Sequence, residues 1–423
     1  MGRNSETARS NSTIADIGLA DEGERRIAWV ARHAPVLNLI KERQLSDGSL
    51  KGLRVALAIH LEAKTAYLAL ILAEAGARVT VGGSNPHTTR DNVCAALVRR
   101  GLTVHAVRDA PRDEWEQQLE RVLDSAPDLI IDDGAELVSR LVTRKPHLID
   151  KVRGSSEETT TGVLKLRAMR QDGLLPWPAV AANDAYCKHL FDNRYGTGQS
   201  AIAAVLKATN LLAAGKLVVV VGYGWCGKGV AKYADGMGAR VAVTEVDEIK
   251  ALEAFADGYR VLSMAQAAEV GDIFITTTGG IDAIRGEHVA RMKDGAIIAN
   301  AGHYEHEINL HELREMSGDV AAARENVTEY RLRNGRRVYV LADGELVNIA
   351  AGDGHPVEIM DLSFAVQALS AHYLANNYKA MAKGVHALPA EIDRGIARAK
   401  LDTLGVQLDQ LTPRQREYLR SWR

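Results

Sequence analysis

Cysteine is scarce in this chain, which has three in 423 residues: Cys94, Cys187 and Cys226. Three widely separated cysteines make neither a disulfide framework nor a cysteine metal cluster. We therefore expect a reduced protein with no metal site, and the cytoplasm is the simplest setting for it.

Long apolar runs and basic blocks are absent as well. No stretch reaches the roughly 18 apolar residues that span a bilayer, and the polar start MGRNSETARSNST lacks the apolar core of a secretory signal. The formal net charge is −2, and no basic block is interleaved with aromatic residues. We expect no membrane partner, no nucleic-acid partner, and a disordered lead-in over residues 1–13.

What the chain does have is two series of short apolar runs that alternate with helical patterns. The first series starts with LRVALAIHL and TAYLALILAEAG, and the second with KLVVVVGYGWCGKGV. Such alternation predicts parallel sheets covered by helices on both faces. The predicted fold class is α/β, with two doubly wound, Rossmann-like domains and a short C-terminal helical tail.

The two series also predict the domain boundaries. The first domain is expected over residues 14–197 and is completed by 354–387, because the apolar helix IMDLSFAVQALSAHYL would pack back on it. The second domain is expected over residues 198–353. Residues 388–423 are charged and helical, and we expect them to form the tail.

A dinucleotide-binding pattern begins the second series. Gly222, Gly224 and Gly227 form a G-x-G-x-x-G between the strand LVVVV and the helix KGVAKYA. The glycines permit a tight turn, close approach of a pyrophosphate and packing of helix on sheet. The next strand ends at Glu245, where a carboxylate accepts from ribose hydroxyls and repels a 2′-phosphate. The pattern predicts NAD and disfavours a purely structural glycine turn.

An ordered set of further motifs resembles the S-adenosylhomocysteine hydrolase family over nearly the whole chain. The motifs are SEETTTG at 156–162, Asn183-Asp184, Lys188, FDN at 191–193, NAGH at 300–303, LVN at 346–348 and GHP at 354–356. HLEAKT at 60–65, GSNP at 83–86 and AGDGH at 351–355 are similar to the shorter branch of archaea and Thermotoga-like bacteria. That branch lacks the C-terminal Lys and Tyr that, in the longer branch, reach a neighbour's NAD.

The resemblance implies a redox-assisted elimination on a nucleoside. Oxidation of the 3′-hydroxyl to a ketone makes the C4′ hydrogen acidic, so that a base can remove it and the C5′ group can leave. Water then adds, and the hydride returns. The resemblance thus implies hydrolysis of S-adenosylhomocysteine or S-inosylhomocysteine, a retained NAD and a homotetramer.

The resemblance also assigns roles to single residues. Lys188 and Asp192 activate O3′, Asp133 is the base at C4′ and His60 the proton donor at C5′. The catalytic set is His60, Asp133, Glu158, Lys188, Asp192 and His303. The substrate-binding set is Glu62, Lys64, Thr65, Asn85, Thr88, Arg90, Thr159, His355 and Met360, with Tyr304 joining His355 as a gate. The NAD-binding set is Thr159, Thr160, Thr161, Asn193, Gly222, Gly224, Trp225, Cys226, Gly227, Glu245, Thr278, Ala301, Gly302 and Asn348.

These residues also have ordinary explanations, and from periodicity alone those would be favoured. Lys188 and Asp192 are four residues apart, as in a surface ion pair on a helix. Asp133 follows a strand, where a carboxylate often caps a helix. His60 fits a core histidine.

Departures from the family pattern leave the leaving group open. Arg90 stands where the family usually has Gln, Val366 where it has Asn, and Cys187 where it has Thr. Arg90 either grips the carboxylate of homocysteine or fills its space. The alternatives are hydrolysis, a nucleoside dehydratase of the same mechanism in angustmycin-type antibiotic biosynthesis, and an NAD-binding regulatory protein without catalysis.

Overall fold

The structure, a computed structural model, describes residues 10–422. Residues 1–9 of the predicted lead-in therefore lie outside the described residues. The end of that segment is ordered, because the amide of Thr13 donates to the carbonyl of Val104 and the carbonyl of Thr13 accepts from Ala106.

The first sheet has seven parallel strands. They are β1 (Arg54–Ile59), β2 (Arg78–Gly83), β3 (Thr103–His105), β4 (Leu129–Asp132), β5 (Gly154–Glu157), β6 (Pro178–Val180) and β15 (Gly384–His386). Their order is β15-β6-β5-β4-β1-β2-β3. The apolar runs of β1 and β4 are buried on both faces, as expected where helices cover both sides of a sheet.

The second sheet has eight strands. They are β7 (Leu217–Val221), β8 (Arg240–Thr244), β9 (Arg260–Val261), β10 (Ile273–Thr276), β11 (Ala296–Asn300), β12 (Ser317–Arg324), β13 (Val327–Leu332) and β14 (Arg337–Leu341). The order is β12-β13-β14-β11-β10-β7-β8-β9, and β13 pairs antiparallel with both β12 and β14. Strand β12 was not predicted, because all its residues after Ser317 are exposed and carry no apolar alternation.

Helices connect and cover the strands. They are α1 (Ala20–His33), α2 (Pro35–Arg43), α3 (Ala63–Glu74), α4 (Asp91–Arg99), α5 (Arg112–Leu123), α6 (Glu136–Arg144), α7 (Thr160–Gln171), α8 (Tyr186–Lys188), a π-helix (His189–Gly196), α9 (Thr197–Thr209), α10 (Trp225–Gly236), α11 (Glu248–Ala256), α12 (Met264–Val270), α13 (Gly286–Val289), α14 (Leu310–Met316), α15 (Val347–Ala350), α16 (Val357–Asn377), α17 (Ala390–Thr403) and α18 (Pro413–Arg420). Short 3₁₀ turns are Ile17–Leu19, Leu45–Asp47, Pro86–Thr88, Pro146–Lys151, Ala182–Asp184, Glu305–Glu307, Ala342–Gly344 and Tyr378–Ala380. None of the helices in residues 10–422 has the length and apolarity needed to cross a bilayer.

Residues that follow the second sheet in the sequence complete the first sheet and its core. The apolar helix α16 packs in the same core as β1, and β15 pairs with β6. The structure differs from the predicted tail, since Leu388 and Ile396 are buried in that core. Helix α17 therefore packs against the core of the first unit.

Candidate active site

One large cavity of about 960 Å³ lies between the two sheets. Ile59, Val221 and Thr244, the last residues of β1, β7 and β8, line it, so it sits at the carboxyl ends of the strands, where open α/β sheets bind ligands. Most of the predicted site residues line it: His60, Glu62, Lys64, Thr65, Asp133, Glu158, Thr159, Thr160, Thr161, Lys188, Asp192, Asn193, Gly222, Gly224, Trp225, Cys226, Glu245, Thr278, Ala301, Gly302, His303, Asn348, His355 and Met360. The predicted residues that do not line it are Asn85, Thr88, Arg90, Gly227 and Tyr304.

The glycine-rich loop between β7 and α10 fits a pyrophosphate. Gly222 has a φ of +99°, and a Cβ on Gly227 would lie 2.0 Å from the Gly222 carbonyl oxygen. A Cβ on Gly224 would meet nothing within 4 Å, so the backbone there is open to the cavity. The amides at the start of α10 follow directly and suit an anion.

Two further groups fit the rest of NAD. The Glu245 carboxylate is fixed by amides of Tyr223 and Val246, both at 2.7 Å, and retains lone pairs for ribose hydroxyls. Nδ2 of Asn348 donates to Ser200, whereas its buried Oδ1 has no hydrogen-bond partner among the described residues. A buried unpaired acceptor on a cavity wall requires a donor from the ligand, and the nicotinamide carboxamide has one.

Lys188 lies at the centre of a buried polar cluster. Its Nζ is 3.3 Å from Glu158 Oε1, 3.3 Å from Asp192 Oδ2 and 2.8 Å from Asn193 Oδ1. Lys188 is 5% exposed, which excludes the surface ion pair. The π-helix that begins at His189 carries Asp192 and Asn193 toward the lysine.

The charges of this cluster perturb one another. Burial opposes the charged form of Lys188, but the charges of Asp192 and Glu158 raise its pKa above the ordinary value. Burial raises the pKa of Glu158 to about 8, although Lys188 opposes this shift. The charges of Lys188 and His355 hold the pKa of Asp192 below its usual range in spite of burial. Three titratable groups with shifted pKa values in one cavity are typical of a catalytic site.

A second cluster joins His60, Asp133 and His303. His60 Nε2 lies 3.6 Å from Asp133 Oδ2, and His303 Nδ1 lies 3.9 Å from Asp133 Oδ1. Oδ1 of Asp133 is buried without a hydrogen-bond partner among the described residues. Burial lowers the pKa of His303, with Asp133 opposing. The ligand atoms of the three residues lie within 4.8 Å of one another, close enough to hold a metal ion, which the sequence did not predict.

Thr88 and Asn85, predicted to bind substrate, contact His60 and its neighbours instead. The Thr88 hydroxyl donates to the Asn85 carbonyl at 2.9 Å, so it accepts from Nδ1 of His60 at 2.8 Å. The side-chain amide of Asn85 donates to Glu345 at 3.0 Å. This arrangement protonates Nδ1 of His60 and turns Nε2 toward Asp133.

Arg90 also has a different environment from the predicted one. Its Nη2 donates to the carbonyls of Ile349 at 3.1 Å and Gly352 at 2.7 Å. It thus ties the first unit to the segment that follows α15, outside the main cavity. Lys64, in contrast, lines the cavity and pairs with Glu62 at 2.8 Å while donating to the Asp353 carbonyl.

The two predicted gate residues are held by polar contacts. The Tyr304 hydroxyl donates to Glu136 at 3.0 Å and accepts from Lys165 at 2.8 Å. Nδ1 of His355 contacts Asp192. His355 therefore connects to the Lys188 cluster, and Tyr304 contacts the His60 cluster through the His303 ring, edge to face at 4.3 Å. The role of the gate stays a prediction.

Sequence reasoning missed the residues that hold the predicted ones in place. Ser84 donates to Asp133 and Ser363 to Asp192. The fully buried carboxyl of Glu157 accepts from the amides of Gly134 and Ala135, each at 2.9 Å, and so fixes the loop after Asp133. Others of this kind are Gln367, which donates to Glu158, and Glu307, which accepts from Thr278. Glu157 lies within the SEETTTG motif, and that position was the signal that could have found it.

Comparisons with known proteins agree with this geometry. A model for "S-adenosyl-L-homocysteine hydrolase" matches residues 11–146, and one for its "NAD binding domain" matches residues 193–354. Adenosylhomocysteinase of Pyrococcus abyssi is 52% identical over 98% of both chains. S-inosyl-L-homocysteine hydrolase of Methanocaldococcus jannaschii is 52% identical over 97% of this chain and 99% of its own. Adenosylhomocysteinase of Thermotoga maritima is 51% identical over 95% of this chain and 99% of its own.

Proposed function

The chain belongs to the S-adenosyl-L-homocysteine hydrolase family, and we propose that it reversibly hydrolyses S-adenosylhomocysteine or S-inosylhomocysteine to the nucleoside and homocysteine. The observation that carries this proposal is the buried cluster of Lys188, Glu158 and Asp192 in a cavity that also contains the glycine-rich loop. The names of the relatives supply the two substrates, and the buried cluster supplies the groups that the chemistry requires.

NAD is held by the glycine-rich loop, Glu245 and Asn348. When bound, it supplies hydride acceptance at C3′ and the later return of that hydride. Lys188 receives the proton of the 3′-hydroxyl once it has passed its own to a neighbour. Asp192, 3.3 Å away and held ionised by the charges of Lys188 and His355, is the carboxylate that can take that proton.

The second cluster performs the elimination. Asp133 removes the C4′ proton with Oδ1, which has no other hydrogen-bond partner among the described residues. His60 delivers a proton to the leaving sulfur from Nε2 when both ring nitrogens carry a proton, with the Nδ1 proton donated to Thr88. His303, with a lowered pKa, remains neutral beside them and does not compete for the proton.

The dehydratase and the regulatory protein without catalysis receive no support from the comparisons. The relatives from Pyrococcus, Methanocaldococcus and Thermotoga are all hydrolases by name. A protein without catalysis would not need the catalytic set that the cavity brings together.

Thiol release tests the proposal. The purified protein is incubated with S-adenosylhomocysteine and, separately, with S-inosylhomocysteine, and free thiol is measured. Release from at least one substrate supports the proposal, and the ratio of the two rates identifies the preferred base. Release from neither, with NAD bound, would contradict it.

We also propose a cytoplasmic homotetramer. Four apolar side chains on or next to α11 are strongly exposed: Val246 96%, Ile249 79%, Leu252 67% and Phe255 69%. Tyr418 and Trp422, in the C-terminal segment, are 74% and 88% exposed. Apolar groups exposed in this number are typical of surfaces covered by a partner. Light scattering that gives a monomer mass would contradict the tetramer.

A further inference from the structure

A basic cleft lined by Arg90 lies between the two units, separate from the main cavity. Its cavity measures about 390 Å³ and is lined by five cationic side chains and two carboxylates. The cationic residues are Arg26, Arg90, Arg108, Lys207 and Arg324, and the acidic ones are Glu325 and Asp353. A concave surface with this excess of positive charge attracts anions.

The two units contribute to the cleft in comparable measure. Arg90 and Arg108 come from the first unit, and Lys207 and Arg324 from the second. The guanidinium groups are positioned by backbone carbonyls: Arg108 donates to Thr89 at 3.2 Å and Arg324 to Thr209 at 2.8 Å. Arg108 also pairs with Asp109 through Nε at 3.3 Å, so its Nη2 group, and the Nε and Nη2 groups of Arg324, remain as donors for a ligand.

The positive charges in the cleft repel one another. Burial lowers the pKa of Arg90, and the neighbouring charges of Arg108 and Arg26 lower it further. Glu22 pairs with Arg26 at 3.1 Å and Asp109 with Arg108 at 3.3 Å, but both carboxylates are exposed, and Asp353 approaches Arg26 only to 3.9 Å, so the repulsion is relieved in part. A ligand with two or more negative charges would offset most of the cleft's net charge of +3.

We propose that this basic cleft binds phosphate or a phosphate ester, which then bridges the two units. A planar guanidinium binds a phosphate through two parallel hydrogen bonds. Because each unit contributes an arginine, one phosphate can contact both units. A phosphate that bridges the two units would also affect the active site. Arg90 donates to the carbonyls of Ile349 and Gly352, and Ile349 lines the main cavity.

Calorimetric titration of the NAD-loaded protein tests the proposal, with inorganic phosphate, pyrophosphate and AMP as probes at constant ionic strength. The variants are Lys207→Gln and Arg324→Gln, and the control is Arg291→Gln, an exposed arginine outside the cleft. We expect saturable binding to the wild type and the control, weakened about tenfold in each cleft variant. Lys207→Gln, at an exposed position, keeps the test valid if Arg324→Gln does not fold.

Each outcome decides the matter. AMP binding more tightly than phosphate, with the same dependence on Lys207, identifies a phosphate ester as the ligand; equal binding identifies free phosphate. No saturable binding to the wild type overturns the proposal. Binding that is unchanged in both folded cleft variants places the anion elsewhere and overturns it as well.

Discussion

Nδ1 of His60 donates to the hydroxyl of Thr88 at 2.8 Å, because the hydroxyl proton is already committed to the Asn85 carbonyl. The relationship fixes which nitrogen of His60 faces Asp133. Thr88, which does not line the cavity, thus determines which nitrogen of His60, a residue that does line it, carries the proton.

Thr88→Val should therefore slow thiol release while leaving the redox step intact. Without the hydroxyl, His60 loses its fixed tautomer, and we expect a loss of about ten- to a hundredfold, as when the partner of a functional histidine is removed. Formation of reduced nicotinamide with adenosine should persist. Thr89→Val is the matched control, since Thr89 also donates to the Asn85 carbonyl but does not contact His60. Equal losses of activity in Thr88→Val and Thr89→Val would contradict this role of Thr88.

Lys188→Met should abolish the first oxidation and spare the fold. Methionine fills the volume of the buried lysine but cannot accept the 3′-hydroxyl proton. The measurement is absorbance of reduced nicotinamide after adenosine is added to the NAD-loaded variant. The exposed Lys293→Met is the control. Normal reduction in the Lys188 variant would show that the lysine has no part in the redox step.

Glu157→Gln should impair the elimination through the loop that carries Asp133. Glu157 accepts from the amides of Gly134, Ala135 and Thr159. An amide has one acceptor oxygen, so at least one buried donor loses its partner, at a cost of about 1–3 kcal/mol. Ala135 has a φ of +56°, and this strained backbone depends on those bonds.

Exchange of the C4′ hydrogen in deuterated solvent measures the step proposed for Asp133. We expect slower exchange in Glu157→Gln with nicotinamide reduction retained. Exchange at the wild-type rate would show that Glu157 serves only stability.

Part of this site could be predicted from the sequence, because its signals are local. The glycine pattern, its strand and Glu245 are contiguous enough to be recognised together. The SEETTTG motif could have marked Glu157 as a site residue, but its partners could not be predicted, because they lie more than 20 residues away across β4 and β5. The same holds for Arg90, whose partners are about 260 positions downstream. Which residues pair in this way depends on strand register and on contacts between the two units, and neither can be read from composition.

The tail differs from its prediction for a related reason. Residues 390–403 are charged on one face, which resembles a solvated helix, but Ile396 lies on the opposite, buried face. The amides of Tyr186 and Cys187 donate to Asp393, so α17 is anchored next to Lys188.

Glu158 makes the stability of the protein fall with rising pH. Its pKa is about 8 in the folded protein against 4.5 ordinarily. Between those values the unfolded chain releases a proton that the folded chain keeps, so this contribution is lost as the pH rises through that window. The free energy of unfolding is measured in urea at pH 5 and at pH 8. It should fall less between these two pH values in Glu158→Gln than in the wild type. Glu315→Gln, at an exposed position, is the control and should show the same fall as the wild type. The same fall in the wild type and in both variants would contradict the raised pKa of Glu158.

Arg90→Gln separates the predicted role of Arg90 from the observed one. If Arg90 paired with the homocysteine carboxylate, the variant would raise the KM for homocysteine tenfold or more in the synthetic direction. In the structure Arg90 instead donates to the Ile349 and Gly352 carbonyls outside the main cavity. Glutamine can replace one of those two bonds, so we expect a loss of about 1 kcal/mol in the free energy of unfolding. The KM for homocysteine should stay within about twofold, below the effect of one lost charge pair. Measuring both quantities on the same preparation decides between the two roles, because a carboxylate-binding arginine would change the KM with little effect on stability.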